Sequence, residues 1–148
     1  MEKFDFKNLV SDISELYRDD SEVVVIGTRH NDHGEQVLKA LQAGKHVFVE
    51  KPLALSLSEV DAIEAELLKD SCQAHLMVGF NRRFDPNFAQ LKKSLDNGEI
   101  GNRELLTITS FDPAPPPISY IKTSGGLYRD MMIHDFDLSN FIMGELPI

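Results

Sequence analysis

The chain has 148 residues, with 15 Lys plus Arg against 24 Asp plus Glu and a net charge of −9. At 42% apolar and 26% charged it has the composition of a folded domain, and its acidity opposes a general nucleic-acid binder, which needs a basic stripe to meet phosphate. No run of about eighteen apolar residues marks a membrane-spanning helix, Met1-Glu2-Lys3-Phe4 lacks the order of a secretory signal, and the lone Cys72 excludes an intrachain disulfide framework and predicts a reduced, cytoplasmic setting.

Phe6, Leu9, Val10, Ile13, Leu16 and Tyr17 recur at helical spacing and predict an amphipathic opening helix. After Asp19-Asp20-Ser21, the β-branched run Val23-Val24-Val25-Ile26 reads as a buried parallel strand, apolar on both faces. Polar Thr28 to Asp32 leads into a second helix through Val37, Leu38 and Leu41, stopped by Gly44. His46-Val47-Phe48-Val49 is the next strand and ends at Pro52, which cannot donate to a sheet ladder. Ser56 and Glu59 have capping-box spacing and open a helix that turns Val60, Ile63 and Leu67 inward. His75 to Val78 is a third strand, closed by Gly79. This alternation predicts a parallel sheet flanked by helices, and such sheets place ligands at their strand ends. Thr28-Arg29-His30, Glu50-Lys51-Pro52 and Asn81-Arg82-Arg83 all follow strands.

Past residue 80 the character changes. Pro86 to Leu95 reads as a helix closed by Asn97-Gly98, and Leu105 to Ser110 as a strand. The prolines between Asp112 and Pro117 predict an extended loop. A helix then runs from Gly125-Gly126 to about Met143, with Leu127, Met131, His134, Leu138 and Phe141 sharing a face.

Lys51, at a strand end before proline, can place its ammonium beside a ligand oxygen, or it can be a solvated surface lysine. Asp130 and His134 are four apart, about 40° around a helix and about 6 Å along it. The histidine can shuttle a proton, with the carboxylate orienting it or holding substrate, or it can be a core-facing histidine satisfied by a neighbour. His30, Asp32, His33 and His46 match no common zinc arrangement, and no nucleophilic Ser or Cys motif gives a hydrolase an anchor. No G-x-G-x-x-G occurs among the nine glycines. The chain opens on a helix, where the alternation calls for two strands and a helix before it.

Ala43-Gly44-Lys45-His46-Val47-Phe48-Val49-Glu50-Lys51-Pro52 and Gly125-Gly126-Leu127-Tyr128-Arg129-Asp130-Met131-Met132-Ile133-His134-Asp135 resemble the A-G-K-H-V-x-x-E-K-P and G-G-x-x-x-D-x-x-x-H blocks of the Gfo/Idh/MocA oxidoreductases. Gly79 to Pro86 and Ile133-His134-Asp135-Phe136-Asp137 look most like the inositol 2-dehydrogenases in that family, with a departure at Phe111, where an arginine is common. The resemblance implies an α/β chain truncated at both ends. Residues 1–80 would be a partial Rossmann-type parallel sheet, its first strand-helix-strand missing, and 81–148 the start of an α/β C-terminal domain for substrate binding and oligomerisation. It further implies Lys51, Asp130 and His134 as catalytic residues, with Lys51 contacting substrate and nicotinamide and the Lys51-Pro52 peptide free to be cis. Arg82 and Asp130 would contact substrate, and Thr28, His30, His33, Glu50 and Lys51 would line the cofactor. The implied cofactor is NAD, with NADP left open, and the implied substrate a small polyol such as myo-inositol; full-length relatives would be homo-oligomers. Because these 148 residues hold no glycine-rich phosphate loop, NAD binding by the chain alone is expected to be weak. The rival reading is a non-catalytic remnant or partner-binding module of the same fold.

Overall fold

A computed structural model of the chain describes residues 8–144. Phe6 of the predicted opening helix lies outside them, and the described helix, α1, is confined to Ile13–Arg18, capped by the Asp12 side chain on the Ser14 amide. Three parallel strands follow in the order β1 (Val23–Ile26), β2 (His46–Glu50) and β3 (Leu76–Gly79). Val24 pairs with Val47 and Val47 with Leu76; Ile26 pairs with Val49 and Val49 with Val78. Helices α2 (His30–Gln42) and α3 (Leu57–Leu67) make the two crossovers.

Both crossovers step the same way along the sheet, so the right-handed rule puts both helices on one face. Strand residues of alternate parity meet them there. Ile26, Val47 and Val49 join Val37, Ala40, Leu41 and Ile63 in one buried cluster. The opposite face carries Val25, Phe48 and Met77 in register, and Val25 is 73% exposed. Here the structure departs from the sequence reading: β1 is apolar on both sides, as expected, but only one side is covered by the described residues. Lys45, just before β2, is buried and donates to the carbonyls of Asp19 (2.6 Å) and Ser21 (2.5 Å), pinning the turn into β1.

The capping box forms as its spacing predicts: Glu59 N–H donates to Ser56 Oγ and Ser56 N–H to the Glu59 carboxylate. Helix α2 starts at His30, inside the segment expected to lead up to it, because the chain is extended only through Arg29.

Beyond β3 a single 3₁₀ turn, Asn81–Phe84, feeds α4 (Pro86–Asp96), which has Asp85 as its cap and proline in its first turn. Residues 101–110 form no strand. The expected strand from Leu105 to Ser110 has the right composition, but no described segment pairs with it, and an unpaired extended segment is not a sheet. The proline loop ends in one helical turn, α5 (Ile118–Ile121), where the prolines predict only extended chain.

The last helix differs in its first turn. Tyr128–Met132 is a wide π turn, and α6 (Ile133–Met143), ended by Gly144, continues from it. The face predicted from Leu127 to Phe141 turns inward from Met131 onward, with Met131, His134 and Phe141 partly buried and Leu138 buried, and fails only at Leu127, ahead of the π turn. Leu127 is 60% exposed, whereas Leu138, Ile142 and Asp137 are buried. Arg83 grips Asp137 through Nε at 2.9 and 2.8 Å and through Nη2, tying the 3₁₀ turn to α6.

Candidate active site

The ends of β1 and β2, the start of α2 and the π turn meet at one place. The Lys51-Pro52 peptide that follows β2 is cis. Lys51 Nζ donates to Asp130 Oδ1 at 2.9 Å and to the Asp130 carbonyl at 2.6 Å, across 79 positions of sequence. Both side chains are mostly withdrawn from solvent, 17% and 20% exposed. Burial pushes the Asp130 carboxyl up, but hydrogen bonds from Lys51 and Tyr120 and the Lys51 charge outweigh it and leave the group below the usual carboxylate range.

His134 lies on α6 one turn beyond Asp130. Its Nδ1 is buried and finds no partner among the described residues. Burial, then the positive charges of Lys51 and Arg82, hold its pKa below the ordinary histidine value, against a smaller opposing pull from Asp135 and Asp130. The ring is therefore neutral at pH 7 and able to accept a proton.

The remaining predicted residues divide by what they touch. His30 is buried; its Nδ1 donates to the Ser124 carbonyl at 3.0 Å and its Nε2 faces Tyr120 Oη at 3.4 Å. His33 is wholly buried, with Nδ1 2.7 Å from the Pro52 carbonyl and Nε2 3.2 Å from the Thr28 carbonyl. It braces the loops under the site and presents no surface to a ligand, unlike the cofactor-lining position expected for it. Thr28 is exposed and donates to Gln36 Oε1 at 2.8 Å. Glu50 is exposed beside an opening of about 280 Å³ that it lines with Phe48, Met77, Gly79, Asn81 and Phe84. A Cβ on Gly79 would come within 3.1 Å of Phe48 Cζ, so glycine keeps that opening clear. Arg82 pairs with Asp135 and donates to Ser110 Oγ at 3.3 Å, so its charge faces a carboxylate as well as His134.

Two residues without a sequence signal, Tyr120 and Ser124, belong to the same cluster. Tyr120 Oη donates to Asp130 Oδ1 at 2.7 Å, and Ser124 supplies the carbonyl that fixes His30. Tyr120 sits behind a proline run that reads only as a loop, so no periodic signal pointed to it.

With imidazole nitrogens engaged by carbonyls, His30 and His33 are not arranged as ligands, and no cluster of three metal-binding side chains occurs among the described residues. A dinucleotide is a better match. The opening beside Glu50 is mostly apolar with one carboxylate at its rim, which suits the face of an aromatic ring, and Thr28 and Glu50 offer exposed polar groups at adjacent strand ends.

A family model described as "oxidoreductase family, NAD-binding Rossmann fold" matches residues 1–80, and one described as "GFO/IDH/MocA C-terminal domain" matches residues 88–148. The chain belongs to the Gfo/Idh/MocA oxidoreductase family. Its three-stranded parallel sheet is thus part of an NAD-binding Rossmann-type unit, followed by the start of the family's C-terminal domain. It is 47% identical over 145 residues to a myo-inositol 2-dehydrogenase of Thermotoga maritima, covering 97% of this chain and 43% of the relative. It is 48% identical over 129 residues to an inositol 2-dehydrogenase of Rhizobium meliloti, covering 87% and 38%. The crystal structure of a myo-inositol dehydrogenase from Corynebacterium glutamicum superposes with a TM-score of 0.80 at 40% identity, covering 90% of this chain and 40% of that one. The chain therefore spans about 40% of the length of the curated relatives it matches. No described helix is long and apolar enough to cross a membrane.

Proposed function

We propose that this chain carries the catalytic residues of an NAD-dependent dehydrogenase acting on a ring hydroxyl of a myo-inositol-like polyol. The observation that carries the reading is the convergence of Lys51 and Asp130, half-buried and hydrogen-bonded, one helical turn from a neutral His134. NAD, when bound, supplies the hydride acceptor. Thr28, His30, Glu50 and Lys51 would hold its nicotinamide end. The chain's own groups do the rest. With Nδ1 walled off, His134 Nε2 takes the proton of the substrate hydroxyl. The Lys51 ammonium donates to the same oxygen as negative charge grows on it. Asp130 accepts from a second hydroxyl and so orients the ring, while its Oδ1 holds the Lys51 ammonium in place at 2.9 Å. The inositol dehydrogenases among its relatives support the polyol class.

The test is a chimera in which this chain replaces the matching segment of the Thermotoga maritima relative. It should form NADH from NAD and myo-inositol, and His134→Ala should lower kcat by about 10²- to 10⁴-fold while leaving NAD affinity in place. A folded, active chimera that turns over equally well with His134→Ala removes histidine as the base.

A further inference from the structure

Asp130 Oδ1 accepts two hydrogen bonds, from Lys51 Nζ at 2.9 Å and from Tyr120 Oη at 2.7 Å, whereas Oδ2 accepts from no described residue. The two donors arrive from elements far apart in sequence: Lys51 from the end of β2, Tyr120 from the single turn that follows Pro117. The Tyr120 ring is itself held. It stands edge-on to His30, with centroids 5.6 Å apart and planes at 74°, and the Arg29 guanidinium lies 5.9 Å from its centroid. His30 is fixed in turn by the Ser124 carbonyl, and its Nε2 lies 3.4 Å from the same hydroxyl. Tyr120 has one proton to donate, and the nearer, charged acceptor takes it.

We propose that Tyr120 is the positioning residue of the site: its hydroxyl locks Asp130 Oδ1 against Lys51 and thereby turns Oδ2 toward a hydroxyl of the bound polyol. The assignment of Oδ2 to substrate rests on the dehydrogenase reading above; the clamp on Oδ1 does not. Two donors on one oxygen fix the carboxylate's rotation, which a single ammonium on a flexible stem cannot do. Burial, then the bond to Asp130, pushes the phenol up to about 12, so Tyr120 remains a donor at any pH where the site works. A residue that merely anchors the proline loop would affect stability and leave Asp130 alone.

The experiment is a carboxyl-carbon NMR titration of the 148-residue chain without cofactor or substrate, with the Asp130 resonance assigned by its loss in Asp130→Asn. In Tyr120→Phe, which keeps the ring against His30 and removes only the hydroxyl, the Asp130 titration should move upward. In protein made with fluorotyrosine, a more acidic and stronger donor, it should move downward; this arm also answers the question if Tyr120→Phe does not fold. Tyr17 and Tyr128 make no hydrogen bond to Asp130, so they do not confuse the result. An Asp130 titration unchanged by either replacement overturns the proposal and leaves Tyr120 a loop anchor. Failure of the chimera to oxidise inositol would refute the dehydrogenase reading without touching this measurement.

Discussion

Replacing Lys51 by methionine keeps most of the side chain's volume and deletes its charge, leaving Asp130 with Tyr120 as its one described donor. Two unit charges 2.9 Å apart attract by roughly 6 kcal/mol at an effective dielectric of about 20. Desolvation returns a large share of that, since the two side chains are only 17% and 20% exposed in the folded state and both are hydrated when unfolded. Breaking a wholly buried pair costs about 3–5 kcal/mol. With some solvent at both ends, about 1–3 kcal/mol is the expected cost of either Lys51→Met or Asp130→Asn. The interaction itself is isolated by a double-mutant cycle in urea at neutral pH, where the coupling between the two substitutions should exceed about 1 kcal/mol. Additivity within about 0.5 kcal/mol would show that the ammonium and carboxylate do not sense each other, and the site as described would not exist.

His134 makes stability fall on acidification in a particular window. Its folded pKa lies below the ordinary value of 6.5, so the unfolded chain binds more protons, and stability is full above about 6.5 and lost as pH falls toward the folded pKa. In His134→Gln the decline in urea midpoint from neutrality to about pH 5 should flatten; an unchanged slope means the ring is not desolvated beside Lys51 and Arg82. Gly125 and Gly126 separate contact from backbone strain, since both have positive φ (83° and 85°) but a Cβ would lie 2.5 Å from Leu55 Cδ2 only at Gly125. Alanine at either should cost about 1–2 kcal/mol for the left-handed backbone. At Gly125 the overlap with Leu55 adds to that, seen as the lower of the two melting temperatures, and equal melts would refute the close approach.

The parts of this fold legible in the sequence are those written in short intervals. Ser56 and Glu59 are three apart and form the capping box that their spacing predicts. Val23 to Ile26 and His46 to Val49 are short β-branched or apolar runs between helices, and they pair in parallel. A strand in residues 105–110 fails for the complementary reason. β propensity records how a residue fits a pleated surface, and without a partner ladder it decides nothing. The helix after Gly126 was legible in extent and in its inward face from Met131 to Phe141, but not in its first turn, because a π turn leaves the same apolar letters and changes only the winding.

The site divides along the same line. Asp130 and His134 lie within one helical turn of each other, an interval that can be read directly, but Lys51 reaches Asp130 across 79 positions and no local pattern records that meeting. It was legible only through the resemblance of two separate blocks to one family. Tyr120 belongs to neither block. A run of prolines fixes φ and removes donors, so it reads as a connector; yet the last of them, Pro117, stands at the start of the turn from which Tyr120 reaches Asp130. A rigid connector is one of the few ways to hold a side chain still on an element too short to be stable by itself. The stiffness that hid Tyr120 from a periodic reading is the property that lets a single turn hold a hydroxyl 2.7 Å from a carboxylate.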